Sequence, residues 1–218
     1  MQRGGRSVPA ARGRGRPVGA DSAQTRRRIV RAAREVINQR GYPAMTFQAI
    51  SKHTGLSRPT LHYYFATRED LYRAVMEEAK SMLTSAIERS LAHDALLDRL
   101  ATFFVALQEA EQRDRSTIAF TISARLEPQR NPELLPFSAP SPVRQFLTRV
   151  VEDGVAHGEI RADADTAAIV SMLHVVMWGL GCYASFVARP DDMEPVTRQL
   201  VRLFAGGLST EGAGDRPG

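Results

Sequence analysis

Thiol chemistry is almost missing from this chain. Its 218 residues include one cysteine, Cys182. That excludes an internal disulfide framework and any multi-thiolate metal site, and it suits a reducing compartment. Lysine is nearly as rare: Lys52 and Lys80 stand alone, and arginine supplies the other basic residues. Aromatics make up 7 %, with a single tryptophan, Trp178. β-Branched residues are sparse and no segment alternates at period two, so strands are not expected. No Gly-rich phosphate loop, HExxH, GxSxG or Cys/His cluster occurs. His53, His62, His93, His157 and His174 are scattered without motif spacing. No catalytic residue, metal ligand or cofactor is therefore assigned. No internal repeat marks a solenoid. No apolar segment follows the basic N-terminus, so a signal peptide is not expected.

What is present is an ordinary globular composition, 43 % hydrophobic and 24 % charged. The net charge of +5 hides an asymmetry. Residues 1–65 carry 13 Lys+Arg against two carboxylates, Asp21 and Glu35, a balance of +11. The remaining residues balance to −6. A basic third joined to an acidic body reads as a polyanion-binding module attached to a part with another task. Arginine takes a guanine edge or a phosphate bidentately, which suits nucleic acid. A GC-rich genome accounts equally well for the choice of arginine, though not for its clustering.

The periodicity predicts helices almost throughout. Residues 1–23 hold little bulky apolar surface and are expected to be a disordered basic arm. From Thr25, residues Ile29, Ala33, Val36 and Ile37 share one face. Gly41 and Pro43 end that helix, and Thr46 and Ser57 cap two short ones separated by Gly55. Thr67 caps a long fourth helix running to about Ser90. Further helices are expected from Leu96, from Ser116 to about Leu126, from Val143 to about His157, after Asp163 or Asp165, and from Met193 to Phe204. Pro128, Pro132, Pro136, Pro140 and Pro142 predict a loop with at most one short turn. Residues after Ser209 are expected to be a disordered tail.

Thr166 to Ala188 contains no Asp, Glu, Lys or Arg. Its length meets the criterion for a membrane span. His174, Ser171, Cys182 and Ser185, together with the lack of flanking basic clusters, favour a buried helix instead. One stripe carries Ile169, Leu173, Val176, Leu180 and Val187. The other carries His174, Met177, Trp178, Gly181 and Ser185, and its small residues permit close approach of a second helix. Such a helix implies a subunit interface, assigned here to Met177, Gly181 and Ser185.

The most specific segment is Thr46–Phe65, a helix, a glycine turn and a second helix. Ile50, Leu56, Leu61 and Phe65 supply its apolar contacts, which is the helix-turn-helix pattern. With its flanks, the run Thr25–Ala79 resembles the DNA-binding domain of the tetracycline-repressor (TetR) family. The matching residues are the arginine-rich first helix, Gly41-Tyr42, Thr46, Ile50, Gly55-Leu56-Ser57, Thr60-Leu61, Tyr64-Phe65 and Arg68-Glu69-Asp70-Leu71. His62 and Arg68 depart from the usual tyrosine and lysine. Gly158-Glu159-Ile160-Arg161 and Trp178-Gly179-Leu180 match the family more loosely.

The resemblance implies an all-α homodimer of about nine helices per chain. A helix-turn-helix domain would span residues 24–68 and an effector-binding and dimerisation domain 69–208. The implied partners are double-stranded DNA with a palindromic operator, a second copy of the chain and an unidentified small effector, in the cytoplasm and without a membrane. The implied action is repression relieved by the effector.

Arg58 suits a guanine edge, and Pro59 and Thr60 a thymine methyl. His62 and Tyr63 lie one turn on. Tyr64 and Arg68 match family positions that bind phosphate, and Thr46, Gln48, Arg26, Arg27 and Arg28 join the candidate DNA contacts. Gly13-Arg14-Gly15-Arg16-Pro17 resembles an AT-hook core, which would place Arg14 and Arg16 in a narrow minor groove. That arm also fits an architectural protein coating A·T-rich DNA without an effector. Candidate effector contacts are an apolar lining of Phe103, Phe104, Leu107, Phe120, Leu173 and Trp178, which suits a hydrophobic ligand, with Arg125, His174, Cys182 and Tyr183 as the few polar anchors.

Overall fold

A computed structural model describes residues 18–137, 141–189 and 192–207. These residues form nine α-helices and two short 3-10 turns, with no strand among them. The helices are α1 (Val18–Arg40), α2 (Phe47–Thr54), α3 (Arg58–Tyr64), α4 (Arg68–Leu91), α5 (Leu96–Arg113), α6 (Arg115–Arg130), α7 (Pro142–Ala156), α8 (Thr166–Phe186) and α9 (Met193–Gly207). The 3-10 turns cover Tyr42–Ala44 and Pro132–Phe137.

Local chemistry sets most of these boundaries. Thr46, Ser57 and Thr67 each accept the backbone N–H three residues on, starting α2, α3 and α4. Each such cap is worth about 1 kcal/mol against alanine. Thr67 and Asp70 close a reciprocal capping box. Asp165, not Asp163, caps α8 by accepting from Ala168 N–H at 2.9 Å. Gly41 and Gly55 follow α1 and α2 with φ of 78° and 70°, where a side chain would be strained.

Two elements differ from the sequence expectation. α1 begins at Val18, inside the segment read as an arm. α6 continues past Leu126 and takes Pro128 into its last turn. The Asn131 N–H donates to Glu127 O at 2.8 Å, so the helix closes around the proline. The Asn131 side chain also donates to the Glu127 carboxylate at 2.8 Å. The proline-rich stretch then makes one 3-10 turn, Pro132–Phe137, which buries Leu134.

The apolar faces assemble into two cores. The first joins Ile29, Val36 and Ile37 of α1 with Ile50, Leu61, Phe65, Leu71 and Val75. It also contains Phe120 of α6, so the N-terminal helices share a core with the body. Tyr72 sits at this junction, its ring 5.0 Å from Tyr42 and 6.1 Å from Phe120. Burial pushes its hydroxyl pKa up, so the ring stays neutral. The second core joins Leu96, Leu100 and Phe103 of α5 with Phe146, Leu147, Val150 and Val151 of α7 and Leu173 of α8. Each such buried side chain contributes about 1.5–3 kcal/mol of transfer free energy.

Polar contacts tie the N-terminal helices to α6 at both of its ends. At one end Arg34 of α1 reaches Asp114 and Ser116. At the other, buried Glu127 accepts the Tyr42 backbone N–H at 3.0 Å.

Candidate nucleic-acid interface and body cavity

α3 is short, and its two faces are sharply divided. Leu61 is fully buried, while Arg58, Pro59, His62 and Tyr63 are exposed. Tyr63 is 81 % exposed and meets Tyr64 edge-on at 5.1 Å. Apart from that edge contact the ring faces solvent, and together with exposed Arg58, Pro59 and His62 it forms one open surface on α3. The His62 ring lies 4.4 Å from Phe47 at the start of α2, which fixes its direction. Gln48, on α2, is exposed as well.

The candidate residues divide into outward and inward sets. Arg58, Pro59, His62, Tyr63, Gln48 and Arg27 are exposed, and none of them holds an ion pair among the described residues. Thr46 and Thr60 are occupied locally. The Thr46 hydroxyl accepts Ala49 N–H at 3.1 Å, and the Thr60 hydroxyl lies 2.7 Å from Ser57 Oγ. Tyr64 is half-buried against the first core. Arg28 and Arg68 serve the fold. The Arg28 guanidinium donates to the Thr54 carbonyl, satisfying the C-terminal end of α2. The Arg68 guanidinium stacks 4.2 Å above the Tyr42 ring, a cation–π contact. Arg26 lies 5.1 Å from the Phe65 ring centroid. Arg14 and Arg16 lie outside the described residues.

Arg34 went unassigned in the sequence. Its register between Val30 and Ile37 places it on the apolar face of α1, and that register was the available signal. It is 3 % exposed and donates to Glu78, Asp114 and Ser116. A second missed contact pairs His53 Nε2 with Glu35 Oε2 at 2.8 Å, linking α2 to α1.

A cavity of about 550 Å³ opens in the body among α4, α5, α6, α7 and α8. Six of the candidate effector contacts line it: Phe103, Leu107, Phe120, Arg125, His174 and Trp178. The other four do not. Phe104 and Leu173 are buried in packed interior. Cys182 is half-buried, and Tyr183 is exposed. Phe104 and Leu173 were read as apolar lining and Cys182 and Tyr183 as polar anchors, but the sequence carried no information about which wall they face. Lys80 and Glu77 of α4 reach the cavity and were not foreseen.

α8 is long and apolar enough to cross a membrane, yet one face is buried within the body. Val170, Leu173 and Ala184 are buried there. The three residues assigned to an interface on this helix, Met177, Gly181 and Ser185, are half-buried within their own chain. Met177 and Gly181 line the cavity of their own chain. A Cβ on Gly181 would lie 2.9 Å from Ile122 Cδ1, so Gly181 permits close approach of α6. Ser185 is half-buried with its hydroxyl oxygen shielded from solvent. The outward face instead carries Met172, Val175, Tyr183 and Phe186. α9 adds exposed Val196 and Leu203.

Residues 29–75 match the family of bacterial regulatory proteins of the tetR family. The whole chain is similar to the HTH-type transcriptional regulator UidR of Escherichia coli (strain K12), 24 % identical over 192 residues. That alignment covers 87 % of this chain and 95 % of UidR. The HTH-type transcriptional repressor KstR2 of Mycolicibacterium smegmatis is 23 % identical over 201 residues, 89 % of this chain and 95 % of that one. In fold, the chain is similar to the transcriptional regulator FadR from Bacillus subtilis in complex with stearoyl-CoA, with a TM-score of 0.64 at 19 % identity. The overlay covers 84 % of this chain and 98 % of FadR. With a divided α3 surface, residues 29–75 are the DNA-binding domain of a TetR-family regulator, and the chain as a whole is similar, nearly end to end, to transcriptional regulators that carry this domain.

Proposed function

We propose that the protein is a homodimeric cytoplasmic repressor that holds a palindromic operator and is released by a small, mainly hydrophobic effector. One observation carries the reading: the core that seats α3 through Leu61 and Phe65 also holds a residue of the cavity wall. Phe120 of α6 belongs to the first core and also lines the cavity. An occupant that binds one arrangement of α6 better than another shifts the population of DNA-competent chains by its differential affinity. The similarity to KstR2, which is named a repressor, supports the sign of regulation. FadR with its stearoyl-CoA supports a ligand-bearing role for this fold.

Dimerisation is the second part of the reading. Val175 is 69 % exposed and Phe186 54 %, on a helix with no charged side chain along its length. A contiguous apolar face of this kind is covered in a working assembly. A two-fold dimer then demands matching half-sites in DNA. Val175→Asp is expected to give monomers in sedimentation experiments and to weaken binding to a full palindrome to the level of a half-site. Gly181→Ala is expected to leave the dimer intact, because its new methyl group meets Ile122 of the same chain.

Selection of purified protein against random duplex DNA at near-physiological salt tests the whole proposal. Enrichment of a palindrome is the expected result. Enrichment of A·T-rich sequence without two-fold symmetry would replace it with an architectural role for the N-terminal arm.

A further inference from the structure

We propose that the body cavity takes an anionic amphiphile, its apolar part against Phe103, Phe120 and Trp178 and its acidic head between Arg125 and His174. This rests on the effector reading above and narrows it to a ligand class.

The charges around the cavity are unequal. α4 brings Glu77 and Lys80, α6 brings Arg125 and α8 brings His174. α5 contributes only uncharged side chains, Phe103 and Leu107 among them. α7 places the Arg144 charge near His174. α8 itself carries no Asp, Glu, Lys or Arg. Glu77 lies one turn from Lys80 on the same helix, where opposite charges offset each other. That leaves Arg125, which lines the cavity together with His174, as its unoffset cation, with the Arg144 charge of α7 adding to the positive field at the same imidazole.

Neither arginine has a carboxylate within 4 Å among the described residues. This contrasts with Arg99, Arg115 and Arg149 on α5, α6 and α7, each of which does. A carboxylate or phosphate head supplies the counter-charge that the chain withholds. The wall behind it is apolar, so an amphiphile satisfies both parts at once.

His174 gives the site a proton signature. Burial holds its imidazole below the usual histidine range, and the Arg125 and Arg144 charges push the same way. The imidazole is neutral at pH 7 while the cavity is empty. An anion beside it favours the charged form, so binding takes up a proton and affinity rises as pH falls.

The test uses laurate, dodecyl phosphate and 1-dodecanol, read by the emission of Trp178, the only tryptophan in the chain and a cavity residue. The expected result is that at least one of the two anions binds about tenfold tighter than the alcohol. The tighter of them identifies the head. Arg125→Gln, at an exposed position, should abolish the preference without loss of folding. Laurate affinity should rise between pH 8 and pH 6 in the wild type and stay flat in His174→Gln. Equal binding of alcohol and anions overturns the inference while leaving the cavity as a ligand site. Tighter binding of dodecyltrimethylammonium overturns it as well. Absence of any response to all four probes overturns the inference. Release of operator-bound protein by an unrelated neutral compound would then still uphold the effector reading.

Discussion

Arg34→Met is expected to lower the unfolding free energy by about 3 kcal/mol in urea titration at pH 7. Arg34 uses all three of its nitrogens. Nε donates to Ser116 Oγ at 2.8 Å, Nη1 to Glu78 Oε2 at 2.9 Å and Nη2 to Asp114 Oδ2 at 2.5 Å. The three partners come from α4 and from the α5–α6 junction, so one planar guanidinium joins α1 to both. Methionine fills a similar volume but leaves Glu78 without its cation and Asp114 with only the more distant Arg31, at 3.8 Å. Removing one partner of a buried pair costs about 3–5 kcal/mol. The lower end applies because the Glu78 and Asp114 side chains are 34 % and 22 % exposed and regain some water. Arg34→Lys is expected to recover only part of the loss, since a point charge cannot meet three acceptors in the geometry of the fork. The acid limb provides an independent check. Burial alone would raise the Asp114 pKa, but hydrogen bonds from Ser116 and the charges of Arg34 and Arg31 outweigh it and hold the carboxyl below its usual range. A depressed folded-state pKa contributes stability above the unfolded value of about 3.9. That stability is lost as pH falls through the lower folded value. The wild type should therefore lose more stability than Arg34→Met below about pH 4, and the two curves should converge in acid.

The legible parts of this chain were those whose partners lie within one turn. Thr46, Ser57, Thr67 and Asp165 each cap a helix through a backbone N–H three residues away. Gly41 and Gly55 each mark a helix end with positive φ. Sequence patterns of this range encode structure directly, and the helix order followed from them. The illegible parts depend on distant partners. α8 is apolar on all sides, so periodicity gives two stripes without saying which one meets α6. The answer lies with Ile122, which occupies the space that Gly181 leaves open. Pro128 marked a helix end by type, yet α6 tolerates it because Asn131 closes the turn beyond. Arg28, Arg34 and Arg68 all read as basic residues in a DNA-binding segment. Their guanidinium groups in fact meet a carbonyl, two carboxylates and an aromatic face within the chain. Composition marks the basic third, which overlaps the family match at residues 29–75, but it does not reveal that several arginines of this region already hold partners inside the chain.

Arg58→Ala is expected to cut affinity for the selected operator about 10- to 100-fold, as measured by fluorescence anisotropy, with stability unchanged within about 0.5 kcal/mol. Arg58 opens α3, is exposed and holds no ion pair among the described residues. Its loss therefore removes no support from the fold. The N-terminal residues of a recognition helix are the ones that approach base edges, and one bidentate arginine–guanine pair carries about 1–3 kcal/mol of discrimination. Loss of that pair should relax the preference at one position of each half-site and leave the others as they were. Arg27→Ala makes the comparison. Arg27 is exposed on α1, away from α3, and a phosphate contact there contributes equally to every sequence. Its removal should weaken specific and non-specific DNA alike and reduce the salt slope by about one. The two variants thus separate a base reader from a charge that only positions the duplex. If Arg58→Ala instead weakens all sequences equally and lowers the salt slope, Arg58 binds phosphate, and base reading passes to Tyr63 and His62 on the same exposed face.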